Sequence, residues 1–134
     1  MDLKKEIEEL IKKSLEDKQF TDSIFFDLPL ITQLELKKIL FKNFDGYKCE
    51  INSHDIRHTN KNHSEDIHFI SKIPDIISNF TEIKKSFVED KKTKKTIYAV
   101  EFYKKYDDKT VKAVKIHLRK EKILRLKTLF IPKK

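Results

Sequence analysis

The sequence is poor in several residues on which small binding and catalytic sites often depend. Its 134 residues include one glycine, Gly46, one cysteine, Cys49, three prolines and no tryptophan. A single glycine excludes the glycine-rich phosphate loops of P-loop and dinucleotide-binding proteins, because those loops need several glycines. A single cysteine excludes an internal disulfide, so the chain is suited to a reducing compartment.

Long hydrophobic runs are also missing. The N-terminal residues MDLKKEIEEL contain no apolar segment of the kind that signal peptides carry. No apolar run approaches the length of a transmembrane helix. We therefore predict a protein that does not enter membranes and works in the cytoplasm, or in the cytoplasm of a target cell into which it is delivered.

Charge, by contrast, is abundant. The chain has 30 Lys and Arg against 22 Asp and Glu, which gives a formal net charge of +8. An excess of this size favours a polyanionic partner, most simply a nucleic acid. The same excess is also compatible with a soluble, lysine-rich surface that has no such partner, and charge by itself does not separate the two.

Hydrophobic spacing predicts an α+β fold: N-terminal helices followed by a four-stranded antiparallel β-sheet. The apolar period is helical over residues 2–18 and 32–42, residues 20–31 fit an extended connector, and residues 47–51 fit a short strand. Short helices are expected after Ser53 and from about residue 63, with a break between them at Thr59 to Asn62. We predict a helical part at 1–44 and a core at 45–134, together one compact domain. The four strands are expected near 81–88, 96–104, 110–118 and 123–131.

Alternation along the third of these strands predicts two different faces. Val114, Ile116 and Leu118 would form an apolar face against the helices, and Lys115, His117 and Arg119 a basic face toward solvent.

The segment from Ser53 to Phe80 concentrates the residues that can perform chemistry. It holds four of the five histidines, and their ordinary pKa, near ~6.5, suits them to move protons at neutral pH. Cleavage of RNA by its own 2′-hydroxyl needs a base, an acid and positive charge on the phosphate, but no metal. His58 and His63 are the predicted base and acid, with Arg57 beside them. The predicted substrate-binding residues are Lys95, Lys115, His117, Arg125 and Lys127.

A metal site is the alternative interpretation of the same segment. His54 and His58 are four residues apart, so one helical turn could present both to a zinc ion. The third ligand would come from His63, Cys49 or a distant acid. Asp55 occupies the position of the glutamate base in the metalloprotease motif, where its shorter side chain would be a poorer base.

The order of these segments resembles the barnase/EndoU/colicin/RelE-like (BECR) nuclease superfamily, in its phage- and toxin-associated branch. The resemblance covers about residues 50–131 and rests on IRHTNKNH, then IPDIISNFTEI, then LRLKTLFI. It departs from the pattern of that branch at Phe80, where proline is usual, and at Thr81, where aspartate is usual. The resemblance implies helices followed by a four-stranded antiparallel sheet, and metal-independent cleavage of RNA without a cofactor.

The resemblance also implies roles for individual residues. His58 and His63 would be the acid/base pair, with Arg57 beside them, and His54 a further candidate. Thr128, near the end of the last strand, would bind or orient the phosphate. Strict alternation, however, places Thr128 on the same face as Leu124 and Leu126, and only a β-bulge would turn it to the other face.

The leading hypothesis is therefore a toxin-like, metal-independent endoribonuclease, from a phage or another mobile element. RNA is the expected partner, with tRNA as one candidate, and an acidic immunity or antitoxin protein is expected to neutralise the basic enzyme. The alternatives are a basic nucleic-acid-binding module without catalysis and a zinc-dependent hydrolase that uses His54 and His58.

Overall fold

A computed structural model describes residues 2–89, 91–106, 109–118 and 122–130 of the chain. Helices and strands alternate in the first half, and four strands follow one another in the second. The helices are α1 (Leu3–Glu16), α2 (Leu30–Leu40), α3 (Ser53–His63), a 3₁₀ helix (Ser64–Lys72) and α4 (Ile73–Ser78). The strands are β1 (Ser23–Asp27), β2 (Lys48–Asn52), β3 (Glu82–Glu89), β4 (Thr96–Tyr106), β5 (Lys109–Leu118) and β6 (Ile123–Phe130).

The α+β class is confirmed, but the predicted four-stranded antiparallel sheet is wrong in size and in type. The sheet has six strands in the order β1-β2-β6-β5-β4-β3. Strands β3 to β6 form the predicted antiparallel meander. Strand β1, from the segment expected to be an extended connector, pairs with β2, and β2 pairs in parallel with β6. The meander alone would leave one edge of β6 unpaired, and β2 covers that edge. Because β2 runs parallel to β6, the sheet as a whole is mixed.

A single hydrophobic core lies between the helices and one face of this sheet. The sheet contributes buried residues from β2, β4, β5 and β6, and α1, α2, α3, the 3₁₀ helix and α4 all contribute to the same cluster. Residues from both predicted parts, such as Ile7 and Leu10 before residue 44 and Ile56 after it, share this core. The division at 44/45 stays a prediction.

The cross-strand register separates this helix-covered face from the opposite one, which we call the far face. Phe102 lies opposite Ala113, and Ala113 opposite Leu129, so these buried residues share the helix-covered face. Positions that alternate with them belong to the far face. By register, the far face contains Lys84, Glu101, Tyr103, Lys112, Val114, Arg125 and Thr128.

The expected orientation of the third meander strand is therefore wrong. Among the β5 residues whose burial the structure describes, 111–114, Val111 and Ala113 are buried, and Val114 lies on the far face opposite Thr128. The small side chain of Ala113 lies between Phe102 and Leu129 beneath the helices. Val114 lies on the far face, between Glu101 and Thr128. Packing between layers decided this orientation, and the hydrophobic pattern of β5 alone did not reveal it.

Helix α3, which begins the histidine segment, follows strand β2 without a loop. Asn52, the last residue of β2, accepts a hydrogen bond from the Asp55 N–H at 2.8 Å and so caps the helix. The helix continues to His63, and the expected break at Thr59 to Asn62 does not occur. Among the described residues, no helix has the length and apolar character needed to cross a bilayer.

Candidate active site

A buried ion pair connects the start of α3 to β6. The side chain of Asp55 is 1% exposed, and the Arg125 Nε donates to its Oδ2 at 2.9 Å. The Arg125 Nη2 also reaches Oδ1, at 3.4 Å. A two-point contact of this kind sets the direction of the guanidinium as well as its distance. The pair therefore holds the first turn of α3 against β6.

A β-bulge in β6 settles which way its polar residues point. Val114 lies opposite Thr128, but the next residue of β5, Lys115, lies opposite Leu126, so Lys127 is an extra residue in β6. The buried leucines of β6 accordingly change their spacing, with Leu126 followed by Leu129 three residues later. The bulge moves Thr128 to the far face, which it shares with Arg125. The conflict between Thr128 and strict alternation is resolved in this way.

His58 lies on α3 next to this bulge. Partial burial lowers its pKa below the ordinary value of 6.5, and the Lys127 ammonium lowers it further. The Asp55 carboxylate acts in the opposite direction and raises the pKa, while His54 and Lys61 lower it. Because the net shift is downward, the imidazole of His58 is mostly neutral at pH 7 and able to accept a proton.

Two helical neighbours complete the surroundings of His58. His54 lies one turn earlier on the same side of α3, and its ring is exposed. Asn62 lies one turn later; its Nδ2 donates to the His58 carbonyl at 3.1 Å and lies 3.4 Å from the His58 Nε2. His54, His58 and Lys127 therefore form one electrostatically coupled group beside the Asp55–Arg125 pair.

His63 is not part of this group. It follows His58 by five residues on one continuous helix, which rotates it by about 140° around the helix axis. One of its ring nitrogens lies within 4.8 Å of a carboxylate oxygen of Glu65 and of Asp66, a grouping that could hold a metal ion. Of the side chains that the structure describes, these three form the candidate metal group, rather than His54 with His58.

Arg57 points to α1 instead of β6. Its Nε donates to the Ser14 carbonyl at 3.0 Å, and its Nη2 donates to the carbonyls of Asp17, at 3.0 Å, and Phe20. These carbonyls lie at the C-terminal end of α1 and just beyond it, where backbone acceptors have no helical partner. The contacts give Arg57 a structural function in joining α1 to α3.

The remaining candidate residues belong to the meander strands and one of their turns. Lys95 is exposed in the turn between β3 and β4, at the opposite edge of the sheet from α3. The side chains of Lys115 and His117, on β5, lie outside the described residues. The catalytic and substrate-binding roles of all these residues stay predictions.

The sequence interpretation underestimated Asp55. Asp55 was considered as the counterpart of the glutamate base in a metalloprotease motif, but not as the partner of a strand residue 70 positions away. No local pattern marks such a pair. The one signal present was an acidic residue in the first helical turn after a strand, in a strongly basic chain.

Comparison with known proteins points in one direction. The sequence model of a family described as phage-Barnase-EndoU-ColicinE5/D-RelE like nuclease 3 (PBECR3) matches residues 30–134. No curated protein matches the chain, and no solved structure matches it. The match runs from α2 through β6, so it includes α3 and five of the six strands and leaves out α1 and β1. The chain therefore belongs to the PBECR3 family of phage BECR-type nucleases.

Proposed function

We propose that this nuclease is a metal-independent endoribonuclease whose catalytic centre lies between α3 and β6. The observation that carries the proposal is the environment of His58: an imidazole with a lowered pKa beside the Lys127 ammonium. A neutral imidazole at neutral pH is suited to be a general base. The adjacent cations are suited to hold the phosphate that the reaction attacks.

In the proposed reaction, His58 removes the proton from a ribose 2′-hydroxyl. The 2′-oxygen then attacks the adjacent phosphorus, and the bond to the 5′-oxygen of the next nucleotide breaks. The leaving oxygen takes a proton from a general acid, for which His54 is the best-placed candidate because it shares a helical side with His58. The products are a 2′,3′-cyclic phosphate and a 5′-hydroxyl, so no water and no metal are consumed or required.

Positive charge for the phosphate comes from β6. Lys127 lies close enough to His58 to shift its pKa. The side chain of Arg125 is 32% exposed while Asp55 beneath it is almost fully buried, so the guanidinium borders the solvent. Thr128, on the same face, offers a hydroxyl as a hydrogen-bond donor. Arg57 and His63 are left out of this reaction because they face α1 and the Glu65–Asp66 pair.

The proposal is tested by comparing RNA with DNA of the same sequence, with and without EDTA. We expect cleavage of the RNA alone, undiminished by EDTA, with a cyclic phosphate on the 5′ fragment. One 2′-deoxy substitution at the scissile nucleotide should block cleavage there, because it removes the attacking group. Cleavage of DNA, or cleavage through the substituted position, would contradict the mechanism.

A metal-dependent hydrolase is the second candidate, and a specific observation supports it. His63, Glu65 and Asp66 together supply the nitrogen and oxygen ligands that zinc or manganese binds. Loss of cleavage in EDTA, restored by one of these ions and abolished by Glu65→Gln, would favour this candidate over His58 chemistry.

The pH dependence of cleavage should change when Lys127 is replaced. Because Lys127 lowers the pKa of His58, Lys127→Met should raise that pKa. A base must be unprotonated to act, so the acid limb of the rate profile should move to higher pH in the variant. Lys61→Met is the matched control, since Lys61 is the smallest of the named contributions to the same pKa. NMR titration of the His58 ring should show a larger rise in pKa for Lys127→Met than for Lys61→Met. An acid limb that stays in place or moves to lower pH in Lys127→Met would contradict the assignment of His58 as the base.

A toxin role and an acidic inhibitor follow from the same proposal. An enzyme that cuts RNA would harm the cell that contains it, and a net charge of +8 favours an inhibitor of opposite sign. tRNA remains one candidate among the RNAs.

A further inference from the structure

A second group of aromatic and basic residues lies on the far face of the sheet, away from α3. Its centre is Tyr103 on β4, which is only partly buried. The Nζ of Lys84 lies 5.4 Å from the centre of the Tyr103 ring, and the Nζ of Lys112 lies 5.8 Å from it. These lysines come from the two strands that flank β4. Each of these ammonium groups also has a carboxylate partner, Glu82 for Lys84 at 3.8 Å and Glu101 for Lys112, so the ring lies between two lysines whose charges are paired.

The Tyr103 ring is held in place by Glu101. The Tyr103 hydroxyl donates to the Glu101 Oε1 at 3.2 Å, and Lys112 forms an ion pair with the same carboxylate. The side chain of Glu101 is 14% exposed and that of Lys112 is 22% exposed, so the pair is well shielded from water. Burial lowers the pKa of the Lys112 ammonium, but Glu101 and Tyr103 together raise it above its ordinary value, so Lys112 stays charged. The aromatic ring is pre-ordered in this arrangement.

This group shares a face with residues of the proposed catalytic centre. Tyr103 lies opposite Lys112, and Val114, two residues further along β5, lies opposite Thr128. Two strand spacings across and two residues along the strand place the Tyr103 and Thr128 Cα atoms about 12 Å apart. A polynucleotide that has its phosphate at Thr128 and Arg125 could continue across the same face to Tyr103.

We propose that Tyr103 is a base-stacking residue that binds an unpaired nucleotide near the scissile phosphate, with Lys84 and Lys112 next to the flanking phosphates. An aromatic side chain on a sheet with lysines beside it is suited to single-stranded nucleic acid, since every base has a stacking face and duplexes hide theirs. The substrate class is therefore RNA with an accessible single-stranded segment. This inference rests on the proposed function for its position relative to the cleaved bond.

The chain contains a matched comparison on the same strand. Tyr98 also lies on β4, and the Lys85 Nζ is 5.4 Å from its ring centre. By register, however, Tyr98 and Lys85 belong to the other face, together with Val100 and Phe102. Tyr98 also packs against Phe87, with ring centres 5.3 Å apart. Two tyrosine–lysine pairs with similar geometry thus point to opposite sides of the sheet.

The test measures binding of a fluorescent single-stranded RNA by the His58→Ala chain, in which cleavage is slowed. Further substitutions are then added to this parent chain. Tyr103→Leu should weaken binding about 5- to 150-fold, the range that loss of one stacked base produces. Tyr103→Phe keeps the ring and should bind nearly as well as the parent. Tyr98→Leu should have little effect, and a perfectly paired duplex should bind more weakly than the single strand.

Several outcomes would overturn the proposal. Equal losses in Tyr103→Leu and Tyr103→Phe would assign the effect to the hydroxyl rather than to stacking. Equal losses in Tyr98→Leu and Tyr103→Leu would remove the distinction between the faces.

Misfolding of a Tyr103 variant could also weaken binding, so a second measurement leaves Tyr103 unchanged. Photocrosslinking of 5-iodouridine RNA to the His58→Ala chain should yield an adduct on Tyr103, and an adduct on Tyr98 in its place would contradict the proposal. RNA that is bound at Tyr103 but never cleaved by the wild type would disprove the proposed catalysis and leave this binding site in place.

Discussion

Replacement of His58 by alanine is expected to lower the rate of RNA cleavage by about 10²- to 10⁴-fold, the usual contribution of a general acid or base. His58 is an exposed residue outside the described hydrophobic core, and its burial is only slight, so the fold should persist. Single-turnover cleavage of a defined RNA, with circular dichroism as the check on folding, measures the effect. The loss should appear in the rate constant of the chemical step rather than in RNA affinity.

Two other histidines of the same segment are matched controls. His63→Ala removes a residue that faces Glu65 and Asp66, and His68→Ala removes an exposed residue whose ring contacts Phe69. Neither should lower the rate more than a few-fold if His54 and His58 form the catalytic pair. A loss in His63→Ala as large as that in His58→Ala would instead favour the pair predicted from the sequence alone.

The largest effect on stability is expected from Arg125→Met. This change leaves the Asp55 carboxylate, 1% exposed, without its guanidinium partner. Removal of one member of a buried ion pair typically costs about 3–5 kcal/mol, because a charge stays buried without compensation. Urea unfolding should show a fall of this size in the free energy of unfolding.

Substitution of the other member of the pair tests whether the buried, unpaired charge causes the loss of stability. Asp55→Asn leaves Arg125, whose side chain is 32% exposed and can be hydrated, so its cost should be smaller. The double variant Asp55→Asn/Arg125→Met carries neither charge and should be more stable than Arg125→Met alone. If the costs of the two single changes simply add in the double variant, the pair is not energetically coupled.

The meander was predictable from the sequence because its signals are local. Alternation over residues 82–130, with lysine-rich turns between the strands, predicts four antiparallel strands, and β3 to β6 match that prediction closely. β1 was not predicted, because its five residues SIFFD lie within a longer apolar stretch and do not alternate between apolar and polar side chains. They become a strand only because β2 supplies an edge with which they can pair.

The site was predictable in its chemistry but not in its geometry. His54, His58, Arg125, Lys127 and Thr128 were all identified from the sequence as candidates. Which histidines could act together depended on whether the helix broke between residues 59 and 62, and it does not. Whether Thr128 could join Arg125 on one face depended on one extra residue in β6.

The sequence by itself determined the α+β class, the meander, the strong positive charge and the residue types that can perform acid/base chemistry on a phosphate. These follow from periodicity and side-chain chemistry, which act over a few residues. Only the tertiary structure decided which groups meet: Asp55 with Arg125, His58 with Lys127, and Arg57 with the end of α1. The packing of α3 against β6 and α1 brings these distant residues together. For Asp55 the pairing is also required by burial, because an unpaired charge in the interior is costly.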